Sequence, residues 1–209
     1  MARLPREFYS GDTVEIAQKL LGKYLVRVWQ GEPLVCRILE TEAYVGRCDK
    51  ACHAYGYHKT NRNAVLFGEP GHAYLYFIYG MYHCLNFVTE PEGEPSAVLI
   101  RGAEPVSGLS TMERLRYGQK ASRMTPAQYR NLINGPGKLC KALCLSRDEN
   151  GMDLTGNTLF VCESQADAGI SVTTPVQQVE QICAAPRIGV DYAEEARDFP
   201  WRFFLERGK

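Results

Sequence analysis

The 209-residue sequence predicts an α+β protein in which one domain, residues 1–209, is built around a mostly antiparallel β-sheet. Some segments repeat apolar residues at helical spacing, whereas others have the short apolar or alternating pattern of strands. Several strand-like segments follow one another through short turns, which favours antiparallel pairing. No linker rich in Pro, Gly or Ser divides the chain, and a chain of this length buries a sizeable core by itself.

The first predicted helix follows Asp12, a residue type that is preferred at helix N-caps, and ends near Gly22. Residues 23–29 and 34–44 have the composition of strands and are separated by the turn-forming residues 30–32. They therefore predict a hairpin.

Residues 45–72 are rich in Gly, His, Asn and Pro and predict a long irregular loop of the kind that often carries function. Residues 72–88 predict two strands that meet at Gly80. The remaining predicted elements are a strand over 96–105, helices over 110–118, 125–133 and 138–145, and short strands over 157–163, 185–190 and 201–206.

The net charge is zero, but the charges are unevenly distributed. Residues 111–147 contain eight basic residues and one acidic residue, whereas residues 148–209 contain five basic and eleven acidic residues. Such polarity suits an anionic polymer that lies against one side, although a solvated helical face would give the same pattern.

The N-terminal segment lacks the apolar core of a secretory signal, and eight cysteines in a chain of this length favour free thiols in a reducing compartment. We therefore expect an intracellular protein. Residues 71–89 contain no Asp, Glu, Lys or Arg, but their histidines, tyrosines and asparagine make them too polar to span lipid. We expect a soluble protein.

Glu40, Glu42 and Tyr44 alternate along the second predicted strand, so their side chains share one face. A carboxylate beside an aromatic ring can act as a general base towards water. An exposed strand with two solvated glutamates is the alternative.

The stretch AYLYFIYGMYHCLNF, residues 73–87, holds four tyrosines. Tyr74 and Tyr76 share a strand face, and Tyr79 precedes the glycine at which the chain turns. Aromatic rings together with arginines are what base stacking and phosphate contact require, whereas core packing is the alternative that we favour for Tyr74.

Sequence motifs of phosphate-cradling loops, dinucleotide-binding turns, serine hydrolases and zinc proteases are missing from the sequence. A Cys/His metal site at Cys48, Cys52, His53 and His58 remains an alternative with poor ligand spacing.

Seven sequence blocks, in the order in which they occur, resemble those of the alkyladenine (methylpurine, 3-methyladenine) DNA glycosylase family. They are RILETEAYVG, CHAYGYHKTNRN, LFGEPGHAYLYFIYGMYHCLNFV, AVLIRGAEPVSGL, NGPGKLCKAL, APRIGV and PWRFF. The resemblance spans almost the whole chain and implies a compact mixed fold with a curved antiparallel sheet flanked by helices. It also implies hydrolysis of the N-glycosidic bond of alkylated or deaminated purines in double-stranded DNA, with neither metal nor cofactor. We expect no lyase step, because the sequence suggests no lysine or N-terminal amine arranged for one.

The resemblance assigns roles residue by residue. Glu42 would activate water as general base, and Arg101 would hold that water and Glu42. Tyr44, His53 and Tyr76 would surround the extruded base, while Asn86 would read the purine edge. Tyr79 would be the wedge that enters the duplex. The other expected DNA contacts are Met81, Tyr82, Arg62 and Lys138.

One segment departs from the family pattern. GRCDKACH, residues 46–53, stands where the family more often has a proline and acidic residues, so Cys48 and Cys52 bear on substrate preference. Without the resemblance, Arg101 would be read as a strand arginine paired with Glu40 or Glu104. A non-catalytic nucleic-acid-binding module with the same sheet is the alternative function.

Overall fold

A computed structural model describes residues 1–78, 80–118, 124–171 and 180–207. Within these ranges the chain forms five α-helices, α1 to α5, and eight strands, β1 to β8. The helices are Arg6–Tyr9, Thr13–Lys19, Leu109–Tyr117, Pro126–Arg130 and Pro136–Ala142. The strands are Tyr24–Trp29, Glu32–Val45, Ala73–Ile78, Tyr82–Thr89, Ser96–Ser107, Leu159–Cys162, Glu180–Ala185 and Arg202–Arg207.

All the strand pairs are antiparallel and belong to one sheet with the order β3-β4-β5-β2-β1-β6. Strand β8 pairs with β2 and carries β7 on its other side. The predicted α+β class and the mostly antiparallel sheet are confirmed.

Local chemistry explains the first elements. The Asp12 carboxylate accepts hydrogen bonds from the backbone N–H groups of Val14 and Glu15 and thereby caps α2. Gln30 and Gly31 both have positive φ and connect β1 to β2, which is the backbone conformation that a two-residue hairpin turn requires. The predicted helix cap and hairpin are confirmed.

The main core lies where α2 and α5 pack on the central strands β2, β4 and β5. Residues 45–72 form turns and two short 3₁₀ helices, as the composition predicts. Three predicted elements are corrected. Helices α4 and α5 end at Arg130 and Ala142, before the predicted ends at residues 133 and 145. Residues 186–190 form a loop instead of a strand, with only Ala185 belonging to β7.

Candidate active site

A cavity of about 740 Å³ opens over β2, β3, β4 and β5. Its floor follows the register of the sheet, in which Tyr74 lies opposite Asn86, Tyr76 opposite Cys84 and Ile78 opposite Tyr82. Alternation along β3 and β4 therefore turns all six of these side chains into the cavity. The walls come from residues 51–53, the N-terminal end of α5 at residues 135–138, and residues 188–192.

Glu42 lies on β2 with its side chain fully buried, and it is held by three residues that line this cavity, Tyr44, Arg101 and Ile188. Its Oε2 accepts a hydrogen bond from the Tyr44 hydroxyl at 2.8 Å, and its Oε1 accepts one from the Ile188 backbone N–H at 2.9 Å. Burial raises the pKa of Glu42, and the positive charge of Arg101 together with the two hydrogen bonds opposes that rise. A carboxylate whose pKa is raised is a stronger base than a solvated one.

For Glu42, the alternative of an exposed strand with solvated glutamates is wrong. Glu42 shares a face with Tyr44, as alternation predicts, but this face is closed over by the loop that carries Ile188. The carboxylate is consequently not on an open strand surface.

Arg101 lies at a β-bulge, because Thr41 pairs with Ile100 whereas Glu40 pairs with Gly102. Bulges redirect side chains and are frequent next to active sites. The Arg101 guanidinium lies between two carboxylates, with Nη1 3.4 Å from Glu42 Oε2 and Nε 3.4 Å from Glu40 Oε1. Both the pairing with Glu40 and the contact with Glu42 therefore occur. Glu104 pairs with Arg37 instead.

Aromatic rings form one wall of the cavity. His53 Nδ1 lies 2.9 Å from the Tyr74 hydroxyl, and the His53 ring meets the Tyr76 ring edge-on with centroids 4.5 Å apart. Desolvation inside the cavity and the nearby Arg62 lower the pKa of His53 to about 4. At neutral pH the imidazole is therefore uncharged and offers a flat, weakly polar surface.

Asn86 is held in one orientation at the cavity floor. Its side-chain nitrogen donates to the backbone carbonyl oxygens of Tyr74 at 3.1 Å and Cys84 at 3.3 Å. Because both amide hydrogens are bonded to backbone acceptors, the side chain has a fixed orientation when it contacts a bound molecule.

The expected DNA contacts surround the cavity mouth. Met81 and Tyr82 are exposed at the start of β4, Arg62 is exposed with its guanidinium 5.6 Å from the Tyr76 ring centroid, and Lys138 lines the rim. Lys138 Nζ donates to the side-chain oxygens of Asn131 and Asn134 at 2.9 and 2.8 Å. Tyr79, the expected wedge, lies outside the described residues.

The basic segment 111–147 is only partly directed at the cavity. Arg116 and Lys138 line it, whereas the Arg114 guanidinium lies 5.6 Å from the Trp29 ring centroid. The exposed basic residues in the segment include Arg130, Lys141 and Arg147. Lys120 and Arg123 lie outside the described residues.

Sequence reasoning missed three contributions to the site. The Ile188 N–H that binds Glu42 belongs to the APRIGV block, which was misread as a strand. Arg187, in the same block, is buried and lies with its guanidinium 4.7 Å from the Tyr44 ring centroid. Tyr74 is buried, as expected for a core residue, but it also lines the cavity and contacts His53. Only the resemblance of the APRIGV block could have indicated the first two.

Other features of the described residues bear on the alternatives of a metal site, of disulfide bonds and of a membrane span. No group of three or more His, Cys, Asp or Glu side chains in the described ranges could hold a metal ion, and Cys48, Cys52, His53 and His58 are all within those ranges. The eight cysteines are free thiols, of which Cys52 and Cys84 line the cavity. None of the helices in the described part of the chain is long and apolar enough to cross a membrane.

Comparison with known proteins shows the family to which the chain belongs. The model of the family "Methylpurine-DNA glycosylase (MPG)" matches residues 7–209. Proteins of Bacillus cereus (strain AH187), Bacillus thuringiensis (strain Al Hakam) and Bacillus anthracis (strain CDC 684 / NRRL 3495) are each 48% identical to this chain over 202 residues, which cover 97% of this chain and 95% of theirs. Each carries the name "Putative 3-methyladenine DNA glycosylase". The chain belongs to the methylpurine-DNA glycosylase family and is a DNA N-glycosylase of DNA repair.

Proposed function

We propose that this enzyme extrudes alkylated or deaminated purines from double-stranded DNA and hydrolyses their N-glycosidic bond with a water that Glu42 activates. The observation that carries the proposal is the Glu42 carboxylate, which is fully buried and held by Tyr44, Ile188 and Arg101, three residues that line a cavity with aromatic walls. These contacts hold the carboxylate in one orientation, and its raised pKa increases its basicity.

Arg101 assists this step. Its guanidinium lies 3.4 Å from Glu42 Oε2 and 3.4 Å from Glu40 Oε1, so it can orient both the carboxylate and the attacking water. Its positive charge also opposes the effect of desolvation on the pKa of Glu42 and thereby favours the carboxylate form, which is the form that acts as a base.

The aromatic wall supplies binding energy for the extruded base. Flipping a purine out of the duplex costs a few kcal/mol, and stacking on aromatic side chains returns roughly 1–3 kcal/mol per base. Tyr44, His53 and Tyr76 provide these surfaces, and a cationic alkylated purine gains further from electron-rich rings. Asn86, held by two backbone acceptors, would reject an additional exocyclic amino group by steric conflict.

The contact with DNA would be made by the hairpin between β3 and β4 and by the basic residues at the cavity mouth. Tyr79 would fill the gap that the extruded base leaves, since a side chain that replaces a stacking partner offsets part of the unstacking cost. Met81 and Tyr82 would follow it at the groove surface, while Arg62 and Lys138 would contact phosphates.

We further propose that the enzyme has no lyase step. A lyase needs a neutral amine at the sugar carbon. The lysine at the cavity rim, Lys138, has its Nζ bonded to the side-chain oxygens of Asn131 and Asn134, which hold it away from a nucleophilic role.

The test is a base-release assay on duplexes that contain hypoxanthine, 3-methyladenine or 7-methylguanine. We expect free base to be released and strand breaks to appear only after alkali or heat. Strand breaks without alkali would contradict the monofunctional assignment, and release of none of these bases would contradict the proposed substrate class.

A further inference from the structure

A buried ion pair next to the cavity has no role in the mechanism above. The side chains of Asp49 and Arg187 are both fully buried. Arg187 contacts both carboxylate oxygens of Asp49, with Nη2 2.8 Å from Oδ1 and Nη1 bonded to Oδ2. A buried pair of this kind contributes little net stability, because desolvation of the two charges offsets their attraction.

The pair joins three segments that build the site. Asp49 lies in the irregular segment that also carries His53, whereas Arg187 directly precedes Ile188. Arg187 Nη1 also donates to the carbonyl oxygen of Ala43 at 2.8 Å, between Glu42 and Tyr44 on β2. A fourth hydrogen bond runs from Nη2 to the Ala196 carbonyl oxygen at 3.0 Å.

The same guanidinium supports the two donors that hold Glu42. Its centre lies 4.7 Å from the Tyr44 ring centroid and 5.4 Å from that of Trp201, so the Tyr44 ring rests on it. The hydroxyl of that ring binds Glu42 Oε2, and the N–H of the next residue, Ile188, binds Glu42 Oε1.

We propose that Arg187, locked by Asp49, is a positioning residue for the reaction, which keeps the Tyr44 hydroxyl and the Ile188 N–H on the two oxygens of Glu42. The inference rests on the proposed role of Glu42 as the base. Arg187 itself contacts the Asp49 carboxylate, two backbone carbonyl oxygens and the rings of Tyr44 and Trp201, and it makes no hydrogen bond to Glu42.

The arrangement has a measurable consequence for proton affinity. Arg101 and both hydrogen-bond donors lower the pKa of Glu42, whereas burial and the neighbouring Glu40 raise it. Other titratable groups that face Glu42 are Tyr76 and Cys84 on the cavity floor and Arg187 itself. If the two donors loosen while these charges stay, the pKa of Glu42 rises. Because the base must be deprotonated, the acidic limb of the rate profile then moves to higher pH.

The variant Arg187→Lys tests this consequence. It keeps a positive charge in place but loses the planar fork that makes the four hydrogen bonds. The control is Arg27→Lys, because Arg27 and Glu149 form another largely buried ion pair whose residues do not line the cavity. Both variants should lower the thermal unfolding temperature, so loss of stability alone does not distinguish them.

The kinetic measurement is the single-turnover release of 7-methylguanine from duplex DNA between pH 5 and 9. This purine is already cationic, so the acidic limb reports the base alone. We expect Arg187→Lys to raise the midpoint of that limb by about one pH unit, on the order of the loss of one hydrogen bond to a carboxylate. Below the midpoint this corresponds to about a tenfold lower rate. Arg27→Lys should leave the midpoint unchanged, and an equal midpoint in both variants would overturn the proposal.

A second readout does not depend on catalysis. In ¹⁵N-labelled wild-type protein without DNA, the Ile188 amide resonance should titrate with Glu42, and this response should shrink in Arg187→Lys. If Arg187→Lys does not fold, Asp49→Glu, which keeps both charges and displaces the carboxylate, should give a smaller change in the same direction. An Ile188 titration identical to that of the wild type would contradict the positioning role. An active Glu42→Gln enzyme would instead contradict the proposed base.

Discussion

The contact between Gly137 and Tyr82 gives a prediction about the hairpin that carries the expected wedge. Gly137 lies in the first turn of α5, and a Cβ added there would lie 2.9 Å from the Cβ, Cγ and Cδ1 atoms of Tyr82. Carbon atoms pack best at about 3.5–4.0 Å. Because one of the three atoms is Tyr82 Cβ, a rotation of the ring cannot relieve the conflict, and the start of β4 must shift.

We expect Gly137→Ala to lower the free energy of unfolding by about 1–2 kcal/mol, within the range of overpacking penalties. Without the conflict, replacing glycine by alanine in this helix would stabilise the protein by about 1 kcal/mol. A destabilising effect of Gly137→Ala would therefore identify the steric conflict with Tyr82. Displacement of the hairpin should also reduce excision from duplex DNA by about tenfold, which corresponds to about 1.4 kcal/mol.

Gly135→Ala, in the same Gly-Pro-Gly turn, is the matched control. Its backbone is extended at φ 177°, and its added Cβ would have its nearest contact with Lys138 Cδ at 3.6 Å. The assays are chemical denaturation and single-turnover excision from duplex DNA. If Gly137→Ala proves as stable and as active as Gly135→Ala, the close approach of Tyr82 to α5 does not hold the hairpin in place.

Three further predictions concern the cavity. Tyr44→Phe removes a hydrogen bond that lowers the pKa of Glu42, so the acidic limb of 7-methylguanine release should move to higher pH; an unchanged limb would contradict the contact. The imidazole of His53 should titrate near pH 4 by NMR, and because its folded pKa lies below the unfolded value of about 6.5, its contribution to stability should be lost as pH falls from 6.5 towards 4. A titration midpoint near 6.5 would show that the His53 imidazole is exposed to solvent. Lys138→Ala should weaken duplex binding similarly for all sequences and reduce the salt slope by about one, whereas Lys19→Ala, at an exposed pair with Glu15, should change neither.

Much of the fold was accessible from the sequence because its signals are local. The Asp12 cap, the Gln30–Gly31 turn and the Tyr74–Tyr76 alternation each depend on neighbours within a few residues. The same alternation placed Glu42 and Tyr44 on one face of β2. Hydrophobic periodicity and turn-forming residues are local signals of this kind, and they can be read directly from the sequence.

The long-range contacts that close the site over Glu42 could not be predicted from local sequence signals. Ile188 reaches Glu42 from 146 positions along the chain, and the Asp49–Arg187 pair spans 138 positions. Neither contact leaves a periodic pattern, and the apolar and small residues of APRIGV also fit a strand. The bulge at Arg101 depends on how β2 and β5 align, which the sequence of one strand does not contain.

The role of Glu42 as general base is the central claim, and the single-turnover rate of Glu42→Gln measures it most directly. The rate of 7-methylguanine release should be determined with enzyme in excess over duplex DNA, together with the Kd for the same DNA. Because a positioned base contributes about 10²–10⁴-fold, we predict a loss of at least about 100-fold in rate with a Kd close to that of the wild type. A Glu42→Gln enzyme that releases the base within a few-fold of the wild-type rate would contradict the account.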